Sequence, residues 1–322
     1  MENRRDSILT VDVGNTSTRI GLFAEDTAAA VQAPLATCEV TTQVPRTADE
    51  VRMLLDQVLG VLRVDVRAMP VAGEAIGGAG RSAGSATVAA CSVGAAGGRV
   101  AGGAAARLPA SAPAAAVLSC VVPALERPWT AALERACTGR VLTVGPGLKT
   151  GMRMRYDDPA EIGPDRIADA VAARAVHGAP AIVVDLGTTT NIEVVDATGA
   201  FAGGIIAPGL ALGARSLSAA TARLPQVEPA APAHVIGRST REAMRSGVVL
   251  GEVARIDGML DMVLAEMRAE GAAGEDPVPI VITGDDAAHL AALVRHDLIV
   301  DGTLTLRGLA ELYRINRKPR RA

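Results

Sequence analysis

The stretch ILTVDVGNTSTRIGLF, residues 8–23, reads as an apolar strand that closes on Asp12, turns through Gly14, Asn15 and Thr16, and returns as a second apolar strand. A glycine turn exposes backbone N–H groups, threonine adds a hydroxyl donor, and an acid at a strand end can hold a cation or its waters. Together they make an anion cradle suited to phosphate. Taken singly, Asp-x-Gly is also a common hairpin connection. An echo decides between the two: AIVVDLGTTTNIEVVD, residues 181–196, repeats the layout, with Asp185 at the strand end and Gly187, Thr188 and Thr189 in the turn. V-D-V-G-N-T and V-D-L-G-T-T read as one unit used twice. The repeat predicts two similar domains facing each other across a cleft, each gripping one end of a nucleotide's phosphates. No G-x-x-x-x-G-K-[ST] occurs, and a Rossmann turn would enter a helix where this one returns as a strand.

Between the repeats lies YDDPAEIGPDRIADAVAARAVHG, residues 156–178. Gly163 and Pro164 suit a helix start, Gly178 suits its end, and Ile167, Ala170, Val171 and Ala175 mark a buried face. Asp165 and Arg166 then sit in the first turn. There Asp165 either complements the helix dipole or serves as the base for an alcohol, and the neighbouring phosphate turns favour the second role. A loose phosphoryl-transfer transition state asks mainly for orientation and a late proton acceptor.

Outward from these segments the chain is less specific. With 322 residues and 49% hydrophobic composition it has material for two domains. A net charge of -3 and only 2% aromatic residues supply neither a basic stripe nor a stacking platform for nucleic acid. Cys38, Cys91, Cys120 and Cys137 lack paired spacing and read as buried free thiols. The alanine-rich segment 109–125 is interrupted by Pro113 and Pro123 and makes a poor membrane span. With no leader pattern at the start, a cytoplasmic location is expected. The four histidines, His177, His234, His289 and His296, form no ligand cluster.

Residues 47–61 read as a helix with a Thr47/Glu50 capping box and an apolar face of Val51, Leu54, Leu55, Val58 and Leu62. Residues 71–116 are Gly, Ala and Ser with hardly a large side chain, expected to form a loose insert. Gly78, Gly80 and Ala83 match G-x-G-x-x-A there by spacing alone. Further on, Ser239 and Glu242 form a second capping box at the head of a long helix. In that helix Gly247 and Gly251, one turn apart, would admit a second helix or a partner subunit. VPIVITGDDAAHL, residues 278–290, reads as a buried strand, a Thr283-Gly284 turn and a helix.

The ordered set DVGNTSTR, SCVVPAL, YDDPAEIGPDRIADAVAA, IVVDLGTTT, GGIIAPGL, TARLPQVE, STREAMRSG, VITGDD and LTLRGLAELYRIN resembles the type III pantothenate kinases along nearly the whole chain. These belong to the acetate and sugar kinase, Hsp70 and actin superfamily. The resemblance implies two ribonuclease H-like, actin-like ATPase domains of the α/β class, each a mixed sheet flanked by helices, with the nucleotide cleft between them. The domains are expected at 1–152 and 153–322, the second carrying the acceptor, second phosphate and adenosine segments.

The implied reaction is ATP-dependent phosphorylation of pantothenate to 4'-phosphopantothenate, by a homodimer using Mg2+ and a monovalent cation, K+ or NH4+. Carried over by position, Asp12, Val13, Gly14, Asn15, Thr16, Ser17, Thr18 and Arg19 form the first phosphate loop. Asp12 is placed near Mg2+, directly or through water. Asp165 is the proton acceptor, Tyr156, Gly163, Pro164, Asp165, Arg166 and Thr240 contact pantothenate, Asp185 holds the monovalent cation and Thr188 contacts ATP. The chain departs from the family at Thr189, Asn191, Ile192 and Glu193, and at Asp285, where a second glycine is usual. These departures keep open a catalytically impaired paralogue that senses nucleotide or binds a partner. The doubled turn keeps open a superfamily kinase for another small alcohol. Asp285 is expected to cost the adenosine turn its freedom to adopt positive φ.

Overall fold

The computed structural model describes residues 7–25, 33–62, 112–272 and 276–317, together with the backbone of 88–92. The chain divides into two compact units, Met1–Leu148 with Thr305–Ala322, and Lys149–Leu304.

In the first unit β1 (Ser7–Val13) pairs antiparallel with β2 (Ser17–Ala24), which pairs antiparallel with β3 (Ala36–Thr41). After α1 (Ala48–Leu62) comes β4 (Val88–Ser92), then β5 (Ala115–Cys120), α2 (Pro123–Ala136) and β6 (Val141–Thr143). The sheet order is β4-β3-β2-β1-β5-β6, with β5 parallel to both β1 and β6. Thr47 and Glu50 cap α1 reciprocally: the Thr47 N–H donates to Glu50 Oε2 at 2.7 Å and the Glu50 N–H to Thr47 Oγ1 at 3.3 Å. The α1 face of Val51, Leu54, Leu55, Val58 and Leu62 packs with Leu125, Trp129 and Leu133 of α2 over Leu9, Val11, Ile20 and Leu22 of the sheet. Each such buried aliphatic side chain contributes about 1.5–3 kcal/mol.

The second unit opens with α3 (Pro164–His177), followed by β7 (Ala181–Leu186), β8 (Thr189–Val195) and β9 (Phe201–Pro208), an antiparallel meander. Then come α4 (Leu210–Ala219), α5 (Thr240–Arg245), a π-helical turn (Ser246–Leu250), α6 (Gly251–Ala269), β10 (Ile280–Gly284), α7 (Ala287–Ala291) and β11 (Ile299–Val300). Its sheet runs β11-β10-β7-β8-β9, with β10 parallel to β7 and β11. Both sheets thus contain an antiparallel three-strand meander whose first strand is extended by two parallel strands. This ribonuclease H-like order, flanked by helices in each unit, is the structural counterpart of the doubled turn.

Several features differ from what the sequence predicts. The helix after Gly163 is not amphipathic: Arg166 through Ala173 are all buried, while Ala175 is exposed. Its small side chains let neighbours close in on every side. The long helix from Thr240 runs to Ala269 through a π turn that contains Gly247, and within the described chain a Cβ added at Gly247 or Gly251 would meet nothing within 4 Å, so no second helix of this chain approaches there. The last helix, α8 (Leu304–Asn316), falls almost wholly in the first unit and not in the expected 153–322. Leu306 joins Ile8, Phe23 and Ala115 in a small core, and the Tyr313 hydroxyl donates to Glu25 Oε1 at 2.9 Å.

Of the thiols, Cys38 is buried, but Cys120 and Cys137 are only half-buried. The side chain of Cys91 lies outside the described residues. So does most of the expected loose insert at 71–116, including Gly78, Gly80 and Ala83; of its described portions, 88–92 is a strand paired with β3 and 112–116 leads into β5. Among the described residues no helix is long and apolar enough to cross a membrane.

Candidate active site

The two turns are built alike. In the first, Asp12 stands opposite Arg19 on β2 and Ser119 on β5; in the second, Asp185 stands opposite Asn191 on β8 and Thr283 on β10. Directly opposed residues share a sheet face, so each acid is flanked by polar side chains from both neighbouring strands. Ser119 Oγ donates to Asp12 Oδ1 at 2.7 Å. On the other sheet Asn191 Oδ1 and Thr283 Oγ1 are buried without a hydrogen-bond partner. Each turn also closes on its glycine, the Gly14 N–H on the Ser17 carbonyl and the Gly187 N–H on the Thr189 carbonyl, both at 3.0 Å.

Within the first loop Asn15 and Thr16 are exposed, and Gly14 and Ser17 half-buried. Val13 and Thr18 are buried, and the Thr18 hydroxyl is engaged with that of Thr42 at 2.9 Å. Those two residues therefore support the loop from within the fold, which leaves Gly14 through Ser17 as its accessible part. Arg19 lies 3.9 Å from Glu39.

The segment 156–166 is organised around Arg166. Pro164 opens α3 with Gly163 as its N-cap, and a Cβ at Gly163 would collide with Asp165 Oδ1. Glycine there lets the carboxylate fold back over the helix start, where it accepts the Arg166 N–H at 2.8 Å. Burial holds the Asp165 carboxyl above its ordinary value, against the lowering effect of that hydrogen bond and of the Arg166 charge.

The Arg166 side chain is 94% buried and its Nε donates to Glu193 Oε1 at 2.9 Å; the Glu193 side chain is wholly buried. The guanidinium carbon lies 5.8 Å from the centre of the Phe201 ring, and Tyr156 meets Phe201 edge-on at 6.1 Å. Opposite Glu193 in the β8/β9 pairing is Gly204, where an added Cβ would lie 2.6 Å from Arg166 Nη2. Burial opposes the Arg166 charge, but Glu193 and then Tyr156 outweigh it. Burial likewise pushes Glu193 up; Arg166 pulls it down, and Asp185 and Asp165 add to the rise.

Glu193, Phe201 and Gly204 are the residues that sequence reasoning missed. In the sequence Glu193 shows only as a departure from the family pattern, yet it is the ionic partner of an expected substrate contact. Thr240 is exposed at the first position of α5. The Ser239 hydroxyl accepts the Glu242 N–H at 3.2 Å, and Glu242 Oε2 accepts the Arg238 N–H at 2.9 Å. Thr188 is half-buried in the second turn, and its carbonyl accepts the Gly209 N–H at 3.1 Å.

At the Thr283-Gly284 turn the positive φ of +100° belongs to Gly284, and among the described residues no other residue type has positive φ. Asp285 therefore carries no such strain, contrary to expectation, and its N–H donates to the Leu186 carbonyl at 3.1 Å. Among the described residues no three His, Cys, Asp or Glu side chains gather into a metal-binding cluster.

A model of the type III pantothenate kinase family matches residues 97–262. The type III pantothenate kinase 2 of Symbiobacterium thermophilum is 34% identical over 306 residues, covering 95% of this chain and 96% of the relative. The type III pantothenate kinase of Acidothermus cellulolyticus is 33% identical over 310 residues, covering 96% and 98%. Among solved structures, the ROK hexokinase of Thermus thermophilus matches at 12% identity and a TM-score of 0.41, covering 95% of this chain and 98% of that one.

Proposed function

The chain belongs to the type III pantothenate kinase family, and from that premise we propose how its residues carry out the ATP-dependent phosphorylation of pantothenate that begins coenzyme A biosynthesis. The observation that carries the assignment is Asp165, held at the N-terminus of α3 beside the buried Arg166–Glu193 pair.

In the transfer, the pantothenate primary hydroxyl forms a bond to the γ-phosphorus of ATP as the bond to the β,γ-bridging oxygen breaks, and ADP leaves. The hydroxyl proton passes to the Asp165 carboxylate. Because the transition state is loose, Asp165 orients the hydroxyl first and takes its proton late. The Arg166 N–H in the first turn of α3 and the Arg166 charge favour the carboxylate form at that position. Tyr156, Gly163, Pro164 and Arg166 hold the acceptor in place, with Thr240 completing its site. Residues 14–17 in the first unit, and Thr188 in the second, each offer N–H and hydroxyl donors suited to phosphate. Arg19 adds positive charge beside them.

ATP kinases of this kind use a divalent ion, and the Asp12 carboxylate, oriented by Ser119, has the oxygen chemistry that suits Mg2+. Asp185, flanked by the unpartnered oxygens of Asn191 and Thr283, offers an all-oxygen donor set that fits a monovalent cation such as K+ or NH4+. When bound, the ions offset the negative charge of the phosphates. We assign the protein to the cytoplasm as a homodimer, in line with a soluble small-molecule kinase.

The test is incubation of folded protein with ATP, Mg2+, K+ and pantothenate, with the product identified by mass. Formation of ADP and 4'-phosphopantothenate in equal amounts is expected. Absence of phosphopantothenate would overturn the assignment.

A further inference from the structure

Arg166 is fixed on three sides. Glu193 Oε1 accepts from its Nε at 2.9 Å, the Phe201 ring lies beneath the guanidinium at 5.8 Å, and Gly204 leaves room for Nη2. Nη2 itself is buried and has no hydrogen-bond partner, and neither has Glu193 Oε2. The Tyr156 side chain also interacts with the guanidinium, but a buried Nη2 without an acceptor is costly, and a substrate oxygen would answer it. Pantothenate carries such oxygens in its carboxylate, amide carbonyl and hydroxyls.

We infer that Glu193 is the positioning residue of the acceptor site: it takes the Nε donor of Arg166, and so turns Nη2 towards the oxygen of the incoming alcohol substrate.

Glu193 thus acts through Arg166 and need not touch pantothenate. A guanidinium is a planar fork, so fixing Nε and one face fixes the direction of both terminal nitrogens. Phe201 supplies the face and Tyr156 braces Phe201 from its edge. The pair also explains why Glu193 can stand in the centre of a sheet: its charge is answered by Arg166, 27 positions earlier on a helix packed against β8.

This inference rests on the kinase reading, and the experiment separates the two. Wild-type turnover tests the reading; the ratio of variant to wild type tests Glu193. Glu193→Leu keeps bulk but removes the acceptor oxygen, whereas Glu193→Gln keeps shape and an acceptor. With Glu193→Leu the pantothenate KM is expected to rise about tenfold or more while the ATP KM stays within about twofold; Glu193→Gln is expected to restore the pantothenate KM to within about threefold of wild type. A change that lowered only the folded fraction would reduce apparent kcat and leave both KM values in place. An unchanged pantothenate KM in Glu193→Leu, or an equal rise in both KM values, would overturn the inference.

Should Glu193→Leu fail to fold, Arg166→Gln and Arg166→Gln/Glu193→Leu decide the matter, since the double variant carries no unpaired buried charge. If Glu193 acts only through Arg166, these two share one pantothenate KM. A further rise in the double variant would contradict the assigned role.

Discussion

Ser119 Oγ donates to Asp12 Oδ1 at 2.7 Å across the parallel β1/β5 pair, joining residues 107 positions apart at the mouth of the first turn. The bond orients one carboxylate oxygen, and a hydrogen bond to a charged group contributes about 1.5–3 kcal/mol. Ser119→Ala is expected to raise the Mg2+ concentration needed for half-maximal rate by roughly tenfold, with little effect on the pantothenate KM. A Mg2+ titration of initial rates, with pantothenate saturating, makes the comparison.

The pH behaviour of Asp165 follows from its burial, which raises its carboxyl pKa. The base is competent only when ionised, so the rate falls as pH drops through a value above that of an ordinary aspartate. For stability the sign is opposite. A raised folded-state pKa means that the folded protein holds the proton more tightly than the unfolded chain. Stability is therefore greatest below the unfolded value and declines as pH rises through the folded one. Asp165→Asn removes that penalty, so the variant should melt above wild type at neutral pH, with the difference vanishing in acid. Paired thermal melts at the two pH values test the sign.

The final helix belongs to the first unit through Leu306, only 2% exposed against Ile8, Phe23 and Ala115. Leu306→Ala should destabilise that unit by about 2–5 kcal/mol, the usual cost of a buried Leu→Ala change. Urea unfolding followed by the fluorescence of Trp129, the one tryptophan and buried in the first unit, reports it directly. A transition unmoved by the substitution would place α8 outside that core.

Asp285 carries no positive φ, because Gly284 supplies it at +100°. Asp285→Gly should therefore relieve no strain and lower stability by about 0.5–1 kcal/mol, through the greater freedom of the unfolded chain. Denaturant melts of the two proteins decide it: a more stable variant would show that the aspartate is strained after all.

Much of this was legible in the sequence because it is local. A turn that ends a strand on an acid, a Gly-Pro helix start and an S-x-x-E capping box each write their geometry in adjacent residues. The doubled V-D-x-G turn was legible for the same reason, and it carried the repeated sheet order with it. The Arg166–Glu193 pair was not, since it needs β8 to return antiparallel and α3 to pack on it before two residues 27 apart can meet. Glu193 looked like a departure because position alone says nothing about its partner. The burial of α3 on all sides was hidden by its alanines, which are compatible with either an exposed or an enclosed surface. The return of α8 to the first unit was hidden because an apolar face shows that a helix packs, not which sheet it packs on.

The central claim, that Asp165 is the proton acceptor of a pantothenate kinase, meets its most direct test in Asp165→Asn. Calorimetry and turnover are measured on one preparation, with ATP, Mg2+, K+ and pantothenate. Binding of both substrates is predicted to persist while kcat falls by about 10²–10⁴-fold. Turnover equal to wild type, with binding intact, would contradict the role assigned to Asp165.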